Sequence, residues 1–169
     1  MGARRLTLLR HGAAESPDLW AEDIDRPLTK QGRAEAAEMA RRLQARDWIP
    51  TLVLVSPAER TWSTAQILMH TLGLEEKQVR AERELYLATP ETIWQLIARQ
   101  PGGAQHLLIC AHNPGLSALA SRFGRKPRRH DLPTAGLAMA QWPETAWESL
   151  SPRSALACDF DEPEIPFTP

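Results

Sequence analysis

The stretch that decides the fold is Leu6-Thr7-Leu8-Leu9-Arg10-His11-Gly12. Its first four residues are Leu and β-branched Thr, a short run that reads as a buried strand. The run stops at a cation, an imidazole and a glycine. Such residues pack poorly at the end of a buried strand but are well placed to face a crevice. In open α/β sheets, ligands bind outside the carboxyl ends of the strands. Gly12 is expected to let the backbone turn sharply and approach whatever binds there. Taken alone, Arg10-His11-Gly12 reads first as a solvated strand end, because a tripeptide arises often by chance. The rest of the chain has to supply partners for it.

Working outward, residues 13–28 look irregular. Thr29 can cap a helix with the apolar face Ala36, Ala40 and Leu43, ending near Asp47. Thr51 to Val55 is a second, nearly all-apolar strand, as a sheet covered on both faces requires. Ser56 as cap and Pro57 in the first turn then predict a helix. Its expected buried stripe is Ala58, Trp62, Ala65, Met69 and Leu72, closed by Gly73, with Arg60 in its first turn. Gln78 to Ala81 reads as a short edge strand. Thr89-Pro90 repeats the cap-plus-proline signal for a helix with Ile93, Leu96 and Ile97 inside, ended by Pro101-Gly102-Gly103. His106 to Ala111 is the next strand and runs into His112. Asn113 as cap and Pro114 at the first helical position start a helix lined by Leu116, Leu119, Ala120 and Phe123. Gly136 to Trp142 reads as a strand, Ala155 to Phe160 as another, and the proline-bearing tail from Glu162 as irregular. Alternating strands and helices indicate an α/β three-layer sandwich with a mainly parallel sheet. With no internal repeat or linker, residues 1–169 read as a single domain.

Composition narrows the function. A net charge of −1 argues for neither nucleic acid nor membrane as a partner. No segment is long and apolar enough to span a bilayer, and Arg10 cuts the N-terminal apolar stretch too short for a signal peptide. Cys110 and Cys158 do not suggest a disulfide framework, so a cytoplasmic setting is expected. No Cys/His spacing suits zinc, and His70, His106 and His130 have no placed partners. Trp62 and Trp94 fit helix core positions. The basic run Arg125 to His130 reads as a solvated loop, with steering of an acidic phosphoprotein as the alternative. Ser16, Thr29 and Thr134 are pocket candidates with ordinary explanations as cap or loop residues.

Three strand ends carry polar residues: Arg10-His11 after the first, Arg60 on the helix following the second, and His112 after a later one. In a parallel sheet all three share one edge. Two imidazoles, two guanidiniums and two helix N-termini then converge, an arrangement suited to a phosphoryl group. An imidazole can serve there as nucleophile.

Four motifs carry a family resemblance: Leu9-Arg10-His11-Gly12; Arg26-Pro27-Leu28-Thr29 with Gly32; Val55-Ser56-Pro57 with Arg60 and Thr64-Ala65; and His112-Asn113-Pro114-Gly115. In this order they resemble the histidine phosphatase superfamily, whose fold is phosphoglycerate mutase-like. The short length and motif order are similar to its SixA-like phosphohistidine phosphatase branch. The resemblance implies that His11 is the nucleophile and forms a phosphohistidine intermediate. It implies that Arg10, Arg60 and His112 bind the phosphoryl oxygens and stabilise their charge. No cofactor or metal is expected, since those groups already supply the electrostatics. The sequence departs from the family pattern at Ala111, where glycine is common, and at Ser63, where glutamine is frequent. Phosphomonoesterases and mutases of the superfamily use a carboxylic acid as proton donor, and Glu84 is the nearest candidate along the chain. Its alternative reading is a solvated surface glutamate. A weak or absent donor suits phosphohistidine better than an ester, because its imidazole leaves more easily. The expected substrate is therefore a phosphohistidine-bearing protein. The alternatives are a phosphomonoesterase acting on a small phosphorylated metabolite and a catalytically idle phosphate-binding module. Oligomeric state is not legible.

Overall fold

The computed structural model describes residues 2–126, 128 and 130–164. Strand β1 (Arg4–Arg10) is followed by helix α1 (Lys30–Ala45), β2 (Leu52–Val55), α2 (Glu59–Leu72) and β3 (Val79–Ala81). Then come α3 (Pro90–Ala98), β4 (His106–Ala111), α4 (Gly115–Ala120), β5 (Leu137–Trp142) and β6 (Ala157–Asp161). A six-stranded sheet has the order β3-β2-β4-β1-β5-β6. The four strands β3, β2, β4 and β1 are mutually parallel. Strand β5 pairs antiparallel with β1, and β6 antiparallel with β5. The sheet is thus mostly parallel, with an antiparallel edge. The β5–β6 pair needs no crossover helix, as antiparallel neighbours allow.

Strand alternation sends side chains to two separate cores. Leu6, Leu8, Leu107, Ile109, Ala138 and Ala140 pack against Ile93 and Leu96 of α3 and Leu116 and Leu119 of α4. Leu9, Val53, Val55, Leu108 and Cys110 pack on the other face against Met39, Ala40 and Leu43 of α1 and Ala65 and Leu68 of α2. These are the three layers the alternating pattern predicts. β4 is buried along its whole length, as a central strand covered on both faces must be.

The caps at Thr29 and Thr89 form: their hydroxyls accept from the Gly32 and Thr92 amides at 3.0 and 3.2 Å. Gly73 closes α2 in the left-handed region, φ 67°. The expected cap at Ser56 does not form; α2 starts three residues later, with Ala58 in the cap position. The expected stripe of α2 is also rotated. Thr61, Thr64, Ala65 and Leu68 face inward, while Trp62, Met69 and Leu72 lie at the margin. The two threonines can be buried because their hydroxyls donate to backbone carbonyls at Ser56, Ala58 and Arg60. α4 ends at Ala120, so Phe123 packs from the turn beyond it.

Gly12 makes a close approach to the first turn of α1. A Cβ there would lie 2.3 Å from the Gly32 carbonyl oxygen, and one on Gly32 would lie 2.0 Å from the Ala13 carbonyl oxygen. The two glycines let the end of β1 touch the first turn of α1. Of the basic run, Pro127 and Arg129 lie outside the described residues, as does the tail beyond Glu164. Arg125, Lys126 and Arg128 are exposed, as expected of a solvated loop, and line a surface hollow together with Phe123 and Phe160.

Candidate active site

The register of the parallel strands places the site. Arg10 pairs with Ala111, and Val55 with Cys110, so His11, His112 and Ser56 emerge together at the carboxyl edge. The rings of His11 and His112 are 5.5 Å apart. Arg60 reaches the same place from the first turn of α2. A cavity of about 430 Å³ is lined by Arg10, His11, Asp23, Arg26, Arg60, Leu87, His112, Asn113 and Thr134.

His11 is buried, and its Nδ1 lies 2.7 Å from the Gly12 carbonyl oxygen. A carbonyl only accepts, so Nδ1 carries the proton and Nε2 keeps its lone pair. Burial, followed by the charges of Arg60, Arg10 and Arg26, pushes the His11 pKa down to about 4 against the opposing pull of the Gly12 carbonyl. The ring is therefore neutral at pH 7, the form in which imidazole is nucleophilic.

His112 is held differently. Arg60 Nη2 lies 3.3 Å from its Nδ1, and Ser56 Oγ lies 2.7 Å from its Nε2. A guanidinium only donates, so Nδ1 accepts and Nε2–H donates to Ser56. Burial, with Arg60 and His11 nearby, brings its pKa down to about 3.

The two arginines present donors that nothing in the protein uses. Arg10 Nη1 donates to the Leu132 carbonyl at 3.0 Å, and the Arg60 terminal nitrogens donate to Asp23 at 2.7 and 2.9 Å. The Nε atoms of both arginines are buried and unpartnered. Orphaned buried donors are uncommon in native proteins and call for a partner. Two of them on cations lining one cavity suit an anion with several acceptor oxygens.

Glu84 is not part of this arrangement. It lies on a short turn, Arg83–Leu85, and its carboxylate accepts from Arg99 Nη2 at 2.7 and 2.9 Å on the surface. The expectation that it stands beside the leaving group is overturned, because α3 draws the carboxylate to Arg99. Asp23 is the carboxylate that lines the cavity, and the sequence reading missed it. Tyr86 Oη donates to it at 2.6 Å and Arg26 Nε at 3.0 Å. The Tyr86 bond and the Arg60 and Arg26 guanidiniums hold the Asp23 carboxyl well below the usual carboxylate range. It is ionised at neutral pH and has no proton to give. The one available signal was its position three residues before Arg26-Pro27-Leu28 in an acidic, irregular stretch.

The remaining candidates fall into place as support. Asn113 Nδ2 donates to the Leu132 carbonyl at 2.9 Å, while its Oδ1 accepts from the Ser117 amide in α4. Thr134 donates to buried Glu35 at 2.7 Å. Ser16 accepts from the Asp18 amide on an exposed turn outside the cavity. Ser63 donates to Glu59 of its own helix at 3.0 Å. His106 bonds to Thr7 at 2.9 Å within the fold, His70 is exposed on α2, and His130 stacks on Phe160 at 3.7 Å. Among the described residues, no group of three His, Cys, Asp or Glu side chains could hold a metal ion.

Residues 6–93 match the sequence profile of the histidine phosphatase superfamily, branch 1. The chain belongs to that superfamily. An uncharacterised protein of Mycobacterium tuberculosis is 32% identical to this histidine phosphatase over 169 residues, covering 92% of this chain and 99% of the relative. A solved structure assigned as the phosphohistidine phosphatase SixA of Nakamurella multipartitia superposes with TM-score 0.82 at 28% identity, covering 98% of this chain and 99% of the other. A second, from Agrobacterium tumefaciens and also assigned as SixA, gives TM-score 0.77 at 28% identity over 95% and 98%. The histidine phosphatase is SixA-like within its superfamily. His112 lies beyond the matched segment and joins the site through the register of β4 with β1.

Proposed function

We propose that this histidine phosphatase is a single-domain, metal-independent hydrolase that removes phosphate from protein phosphohistidine. The observation that carries the reading is the pair of unpartnered Nε–H donors on Arg10 and Arg60, residues that line the same cavity as His11 with its free Nε2 lone pair. In this mechanism His11 Nε2 attacks phosphorus. The phosphorus–nitrogen bond to the substrate ring breaks, and its electron pair stays on the departing nitrogen. Arg10 and Arg60 take the oxygens and offset the charge that builds on them, while His112, a neutral ring whose Nε2–H goes to Ser56, accepts from Arg60 through Nδ1 instead of binding an oxygen itself. Water then attacks the phosphorus on His11, releasing phosphate and restoring the neutral ring.

The departing group favours phosphohistidine over an ester. An alkoxide needs a proton as it leaves. Glu84 is held away by Arg99, and Asp23 is ionised. A phosphoimidazole protonated on its other nitrogen departs as neutral imidazole and asks no proton of the enzyme. The free cysteines Cys110 and Cys158 fit a cytoplasmic setting, which belongs to the same proposal. Among the described residues no helix is long and apolar enough to cross a membrane.

The test is phosphate release from a phosphohistidine protein and from p-nitrophenyl phosphate, with and without a chelator, for wild type and His11→Ala. The reading expects fast chelator-resistant release from the protein, slow release from the ester, and none from His11→Ala. Preference for the ester would move the substrate to a small phosphorylated metabolite. Phosphate binding without release would make the chain a binding module.

A further inference from the structure

We infer that Asp23 is a positioning residue for Arg60: it grips one edge of the guanidinium so that the other edge faces the phosphoryl oxygens, and Tyr86 latches Asp23 in place. The inference rests on the phosphoryl-binding reading of Arg60.

A guanidinium is planar and offers two forks, a terminal one (Nη1, Nη2) and a lateral one (Nε, Nη2). Asp23 fills the terminal fork of Arg60. Its backbone carbonyl accepts from Nη1 at 2.7 Å and its Oδ2 accepts from Nη2 at 2.9 Å. On the lateral fork only Nε is open. Nη2 makes a 3.3 Å contact with His112 Nδ1, and Nε has no partner. Arg60 is 2% exposed, so water does not orient it. Two bonds from one residue set the plane of its head group.

Asp23 is itself fastened. Tyr86 Oη donates to the same Oδ2 at 2.6 Å, and Arg26 Nε donates to Oδ1 at 3.0 Å. Tyr86, the one tyrosine of the chain, stands edge-on to His112 with ring centroids 5.5 Å apart. The latch therefore ties the Asp23–Arg60 pair to the second imidazole. An ionised Asp23 fits this role, since a positioning acceptor must keep its charge.

Electrostatics makes the test sharp. Deleting a carboxylate beside an anion site should tighten anion binding if charge is all that matters. Deleting a positioning residue should weaken it. The experiment is calorimetric titration of inorganic phosphate into wild type, Asp23→Ala, Asp23→Asn, Tyr86→Phe, Arg60→Ala and the Asp23→Ala/Arg60→Ala double variant, each checked for folding by circular dichroism. The expected result is about tenfold weaker binding for Asp23→Ala and a smaller loss for Asp23→Asn, whose amide oxygen can still accept from Nη2. Tyr86→Phe should weaken binding in the same direction. The double variant should bind no more weakly than Arg60→Ala, because Asp23 acts through Arg60. If Asp23→Ala fails to fold, the near-isosteric Asp23→Asn and Tyr86→Phe carry the comparison. Unchanged or tighter binding in the folded Asp23 variants, or an additive loss in the double variant, overturns the inference. Binding lost in Arg60→Ala yet intact in the Asp23 variants sinks only this inference. A wild type that binds no phosphate sinks the phosphoryl reading with it.

Discussion

Ser56 Oγ accepts a 2.7 Å hydrogen bond from His112 Nε2, joining the ends of β2 and β4 beneath the site. A serine before proline reads in sequence as a helix cap. Here its hydroxyl fixes the tautomer of an imidazole that also accepts from Arg60.

Removing that hydroxyl should therefore cost function more than helix stability. Ser56→Ala is expected to lower kcat/KM by about tenfold, the worth of one buried hydrogen bond. Unfolding in urea should move by no more than about 1.5 kcal/mol. A change in stability with full activity would leave Ser56 a structural residue only.

Glu84→Gln should change nothing at the active site. The carboxylate belongs to an exposed ion pair with Arg99, 48% and 56% exposed, and such pairs are worth about 0–1 kcal/mol. Rates on a phosphohistidine protein and on p-nitrophenyl phosphate should both match wild type. A selective loss on the ester would restore Glu84 as a proton donor.

The buried imidazoles predict the acid limb of both activity and stability. Burial is the main cause that pushes His11, His106 and His112 below the free value of 6.5, to about 4, about 4 and about 3. Below pH 6.5 the unfolded chain takes up protons that the folded chain refuses, so stability falls as pH drops toward those values. Above that pH the contribution is fully present. Urea midpoints should be level from about pH 8 to about pH 7 and drop steeply near about pH 5. In the same way kcat/KM, corrected for spontaneous hydrolysis, should hold to about pH 6 and fail as His11 protonates near about pH 4.

Gly32→Ala tests the contact between β1 and α1. The added methyl would lie 2.0 Å from the Ala13 carbonyl oxygen, and backbone on both sides leaves little room to yield. The expected cost is about 2 kcal/mol or more in urea unfolding. Activity should fall as well, because Gly12 sits on the other side of the same contact, next to His11.

Much of the site was legible because its core residues follow buried strands. Arg10, His11 and His112 stand where apolar runs stop, and a parallel sheet brings such ends to one edge. Arg60 was legible as a first-turn residue of a helix that follows a strand. Asp23 and Tyr86 were not, because they lie 63 residues apart in irregular segments and meet only through a side-chain bond. Glu84 was misplaced for a related reason. Chain order put it near the site, while its charge was settled by Arg99, 15 residues on.

The amino-acid sequence by itself determined the alternating α/β layers, the strand ends and the caps at Thr29 and Thr89. Each of these depends on local periodicity or on hydrogen bonds within a few residues. Only the tertiary structure decided which groups share the cavity, which nitrogen of each histidine carries its proton, and which carboxylate stands beside Arg60. Those outcomes depend on burial and on partners distant along the chain, which spacing does not encode.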